Sequence, residues 1–130
     1  MKKYCILALL ILLGCQKAKY NWYNGSFESA KSITNSKLIL IDFYTDTWAA
    51  CNRLDADTFS DLYVQKFSEN NFISIKMNAN EKYARTLFDQ YNCSGVPHLL
   101  FIDKNGEEVD RIIGYLPPSE YLLRIKDIKN

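Results

Sequence analysis

The sequence predicts a single α/β domain built on a mixed β-sheet with helices on both faces. Three observations carry that prediction. Residues 37–43 and 99–102 are almost continuously apolar, as strands covered on both faces must be. Segments whose apolar residues recur at helical spacing alternate with strand-like segments along the chain. Near the end, Asp103-Lys104-Asn105-Gly106 reads as a hairpin turn, since Asn-Gly supplies positive φ, and the strands it joins must be antiparallel.

Each element follows in order. Ser26 caps a short helix that places Phe27, Ala30 and Ile33 on one face. The strand at 37–43 comes next. Helical spacing follows Cys51, and a further helix starts at Ser60 and carries Leu62 and Phe67. Residues 72–77 alternate like a strand. Residues 81–91 put Ala84, Leu87, Phe88 and Tyr91 on one helical face. After the strand at 99–102 and the turn, residues 108–113 return as its partner. Pro117 and Pro118 stop that run, and Ser119 caps a last helix bearing Tyr121, Leu122, Ile125 and Ile128. The strands linked through helices are expected to be parallel.

Composition narrows the function classes. A chain of 130 residues, 48% apolar and 24% charged, has room for one ordered core. Sixteen Lys+Arg against fifteen Asp+Glu give +1, so there is no basic surplus to grip nucleic acid. One histidine excludes a multi-histidine metal site, and neither a metal nor another cofactor is expected. The four cysteines, at 5, 15, 51 and 93, are too scattered for a disulfide scaffold.

The first residues read as an address. Met1-Lys2-Lys3 places charge ahead of an apolar run from Tyr4 to Leu13, which is too short for the roughly 20 residues of a membrane-spanning helix. That is the layout of a secretory signal. The run ends in Leu12-Leu13-Gly14-Cys15, which resembles the lipobox of bacterial lipoproteins. The resemblance implies a signal peptide over 1–14, lipid on Cys15, a tether over 15–24 and a domain over 25–130. It also implies a bacterial envelope location facing the periplasm. Gln16, rather than Asp, after the lipidated cysteine favours the outer membrane.

Three stretches carry a second resemblance. Asp42-Phe43-Tyr44-Thr45-Asp46-Thr47-Trp48-Ala49-Ala50-Cys51 is similar to the active-site approach of the thioredoxin-like family. The periplasmic thiol:disulfide interchange type is the closer match. Leu54-Asp55-Ala56-Asp57-Thr58-Phe59-Ser60-Asp61 resembles the segment that follows it there. Tyr91-Asn92-Cys93-Ser94-Gly95-Val96-Pro97-His98 resembles the family's proline loop. The implied fold is the thioredoxin fold, and the implied partners are protein or peptide thiols and disulfides.

The chemistry departs from the family's. Aligned without gaps, the attacking cysteine falls on Trp48 and only the second, resolving cysteine remains, as Cys51. The resemblance makes Asp42 the buried carboxylate that helps to move the Cys51 proton, and makes Val96-Pro97 a cis bond beside the site. Trp48, Ala49 and Ala50 form the active-site loop, while Trp48, Val96 and Pro97 form a candidate substrate groove. Disulfide exchange needs an attacking thiolate and a resolving thiol in sequence, so a dithiol cycle through residues 48 and 51 is chemically excluded. Cys51 reads either as a monothiol or as a small buried apolar group. Cys93 reads either as core filler or as a replacement redox partner. His98 reads either as a hydrogen-bonded structural residue or as an acid/base. Two functions follow: weak or monothiol redox work, or a non-catalytic peptide-binding, chaperone-like module built on the groove.

Overall fold

The structure is a computed structural model and describes residues 19–130. The signal segment, Cys15 and the first tether residues lie outside the described residues. Four strands form one sheet in the order β2-β1-β3-β4. β1 (Leu38–Tyr44) is central. It pairs in parallel with β2 (Phe72–Asn78) and antiparallel with β3 (His98–Ile102), which pairs antiparallel with β4 (Glu108–Ile113).

Side chains alternate across the pleat, so β1 and β3 feed two cores. Ile39, Ile41, Phe43, Leu100 and Ile102 pack against α1 (Phe27–Ile33) and α4 (Lys82–Gln90). Leu40, Leu99 and Phe101 face Phe59, α3 (Leu62–Asn71) and α5 (Pro118–Lys129). The predicted mixed sheet with helices on both faces is what the chain forms, with several local differences.

β3 runs antiparallel to β1, although a helix precedes it. Residues 92–97 carry the chain back to the end of the sheet that β2 left, so His98 pairs with Phe43 and β3 runs downward. Ile33 is 57% exposed rather than sharing the face of Phe27 and Ala30. Six residues along a helix of 3.6 per turn lie about a third of a turn away from the starting face. α3 is capped by Asp61, whose carboxylate accepts from the Val64 amide at 3.0 Å, while the Ser60 hydroxyl donates back to the Ala56 carbonyl. Its buried side carries Val64, Gln65 and Ser68, leaving Leu62 exposed. α5 starts at Pro118, so Ser119 lies inside it; a proline in the first turn has no amide to lose.

Residues 20–23, ahead of α1, pack against the domain. The Tyr23 amide donates to the Ser74 carbonyl at 2.7 Å, and the Tyr20 and Trp22 rings lie 4.8 and 5.0 Å from the Phe59 ring. Three aromatic rings within four residues gain more from this cover than from solvent. Among the described residues, no helix is long and apolar enough to cross a membrane.

Candidate functional site

β1 ends in a loop that delivers the chain to α2 (Ala49–Arg53), which continues through a π-helical turn, Leu54–Thr58. The Thr58 hydroxyl fixes the far end of this segment by donating to the Leu116 carbonyl at 2.6 Å. Trp48 takes the N-cap position, makes no side-chain capping bond, and is 57% exposed. Ala49 is exposed and Ala50 half-buried, whereas Cys51, one step further round the first turn, is 2% exposed. The loop from Tyr91 to Pro97 uses positive φ at Asn92 and Gly95. Val96 is half-buried against the core, the Val96–Pro97 peptide is cis, and the Pro97 carbonyl accepts from the Gly114 amide at 2.9 Å.

Asp42 is buried beneath this surface. Lys76, its register partner on β2, donates to Asp42 Oδ2 at 2.9 Å and to Asp55 Oδ1 at 2.6 Å. The Trp22 and Tyr44 rings lie 4.9 and 4.6 Å from the Lys76 ammonium, at cation–π distance. Asp42 Oδ1 has no partner among the described residues. Burial drives the Asp42 carboxyl up to about 6; the Lys76 charge opposes this and the Asp55 charge adds to it. Burial also pushes the Cys51 thiol up. A Thr45 backbone hydrogen bond and Lys76 pull the other way, and the Asp42 charge reinforces the rise. A raised thiol pKa marks a structural cysteine rather than a reactive one.

Cys93 and Cys51 are both free. Cys93 packs against the cluster containing Phe43 and Phe88, and Cys51 lies near Asp42, Lys76 and Asp55. Burial drives the Cys93 thiol to about 11. Cys93 therefore packs as part of an apolar cluster. His98 is fully buried at the start of β3, with Nδ1 3.2 Å from the Ser94 carbonyl and Nε2 3.2 Å from Arg111 Nη1.

Sequence reasoning passed over Lys76 and gave Asp55 no role. Ser74 and Lys76 alternate with apolar neighbours and so read as a solvent-facing edge. The available signal was Asp42 itself: a carboxylate inside an apolar strand demands a cation, and β2 offers one in register.

A thioredoxin-like domain matches residues 27–129. The chain belongs to the thioredoxin-like family. The thiol:disulfide interchange protein DsbD of Tatumella citrea is 32% identical over 101 residues, covering 75% of this thioredoxin-like chain and 18% of that protein. A candidate disulphide-isomerase from Bacteroides thetaiotaomicron superposes with a TM-score of 0.74 at 27% identity, covering 87% of this chain and 95% of that one. A thioredoxin from Thermus thermophilus gives 0.73 at 22% identity, with 85% and 88% covered, which speaks for the fold alone. The chain thus spans about a fifth of the length of its DsbD relative.

Proposed function

We propose that this protein is a lipid-anchored, envelope-facing member of the thiol:disulfide oxidoreductase lineage that binds polypeptide clients without running a dithiol cycle. One observation carries the reading. The helix tip where such enzymes present an attacking sulfur presents the exposed Trp48 indole, and the one sulfur behind it is shielded, with its thiol pKa raised. A large exposed aromatic is a natural binding anchor. The loop at Val96 and Pro97 supplies backbone against which an extended client segment can pair. The charged start, the short apolar run and Leu12-Leu13-Gly14-Cys15 support the anchor and the envelope location. Similarity to thiol:disulfide interchange proteins supports clients that carry thiols or disulfides.

A second reading is favoured by Asp42, whose carboxyl at about 6 is poised to take a proton near neutral pH. In it, the Cys51 thiolate attacks one sulfur of a client disulfide after losing its proton to Asp42. A mixed disulfide forms and the other client sulfur leaves as a thiolate. Release then needs a small-molecule or protein thiol from outside.

Insulin reduction by dithiothreitol separates the readings. The unmodified protein is expected to add nothing to the uncatalysed rate, and Trp48→Cys to give measurable turnover. Strong turnover without the substitution would refute the proposal. A client mixed disulfide trapped on Cys51 would establish the second reading.

A further inference from the structure

The Tyr91–Pro97 loop is tied to the sheet by a small, partly buried polar cluster that the proposed function leaves unused. Arg111, on β4, donates through Nη2 to the Tyr91 carbonyl at 2.9 Å and through Nη1 to His98 Nε2 at 3.2 Å. The Glu108 carboxylate holds the guanidinium through two bonds, to Nε and Nη2. From the other side of the ring, His98 Nδ1 reaches the Ser94 carbonyl. Two carbonyls of the loop are thus held by one histidine and one arginine.

The donor count allows a single state of His98. A guanidinium only donates, so Nε2 must offer its lone pair; a carbonyl only accepts, so Nδ1 must carry the proton. Neutral His98 in that tautomer satisfies both bonds. A second proton, on Nε2, would turn an acceptor into a donor facing another donor and would set two cations side by side in a partly buried site. The remaining neighbours do not compensate. Glu108 is already committed to Arg111, the Cys93 thiol is neutral, and on α4 the Phe88 ring lies edge-on to His98 while Arg85 and Asp89 pair with each other. From β1, Phe43 supplies only apolar cover. Burial and Arg111 accordingly hold the His98 pKa below its ordinary value, against the Ser94 bond and Glu108.

We propose that neutral His98 and Arg111 form a latch that positions the Tyr91–Pro97 loop, and that protonation of His98 opens it, so that client docking weakens in acid. The latch stands on the geometry above; the consequence for docking rests on the proposed function. Linkage sets the size of the effect. Each unit by which closure depresses the His98 pKa raises the opened population about tenfold across the titration.

The test uses isotope-labelled, full-length protein. Imidazole 15N shifts at about pH 7.5 are expected to show Nδ1 protonated and Nε2 bare. Exchange of the Cys93 and Val96 amides, corrected for intrinsic rates, should rise on going to about pH 5, following the His98 titration. His98→Gln, which keeps an acceptor for Arg111 but cannot titrate, should abolish that rise. A proton on Nε2 at neutral pH overturns the latch without any variant, and so does a rise that survives in His98→Gln. S-carboxymethylated insulin B chain serves as the docking probe and should bind more weakly in acid. If it binds at neither pH while the amides still follow His98, the docking reading fails and the latch stands.

Discussion

At position 48 an exposed indole takes the N-cap of α2, and at position 51 the sulfur is packed inside the fold. Cys51 is nearly sealed from solvent, and its pKa is raised by burial, so its thiolate fraction falls about tenfold for each unit of rise. Cys51→Ala is therefore expected to cost about 1–2 kcal/mol of stability, through a small cavity, and to leave client binding unchanged. Urea unfolding and retention of a client with its disulfides intact, assayed without reductant, measure the two halves of that statement. Loss of retention with little loss of stability would show that the sulfur holds the client, which is the monothiol reading. Asp42 is a different case, because its burial has a cost that Lys76 offsets, and Lys76 is shared with Asp55.

Among elements, α5 offers the clearest test of how the core was assembled. Tyr121 is fully buried against Phe59, and its hydroxyl has no partner among the described residues. An unpaired buried hydroxyl is a net cost, so Tyr121→Phe should stabilise the fold by about 1 kcal/mol. A raised urea midpoint at constant slope is the expected sign; a lowered midpoint would mean that a water bridges Tyr121 to another buried group. The strands, helices and hairpin were legible because each sits in a short window where period and turn chemistry agree. What was not legible needed a partner distant in sequence. Tyr20 and Trp22 look like linker residues until Phe59 is placed beneath them, and Lys76 looks solvated until β2 lies beside Asp42. The Trp48 tip was readable from a local motif, but the burial of Cys51 behind it was a matter of packing.

For the whole molecule, the two buried titrating groups pull stability in opposite directions with pH. Asp42 has a folded pKa of about 6 against 3.8 for the free group, so the folded state holds its proton more tightly. Its cost is fully present above about pH 6 and is relieved as the pH falls from there toward 3.8. That shift corresponds to at most about 3 kcal/mol at neutral pH, because Asp42→Asn also takes a partner from Lys76. His98 acts with the other sign. Its folded pKa lies below 6.5, so stability is lost as the pH falls through 6.5 and the unfolded chain takes up a proton that the fold refuses. Between about pH 7 and 5 the two contributions oppose each other, and the stability curve of the parent protein should be flatter than that of either variant. Asp42→Asn removes the acid-side gain, so its stability should fall steadily with acidification, and its advantage over the parent should be largest at neutral pH. His98→Gln removes the loss, leaving stability that rises as Asp42 takes up its proton. Urea unfolding at a series of pH values reads all three curves. A parent protein that gains no stability relative to Asp42→Asn as the pH falls from about 6 toward 3.8 would show that the Asp42 carboxyl is not raised, whatever the two stabilities at neutral pH.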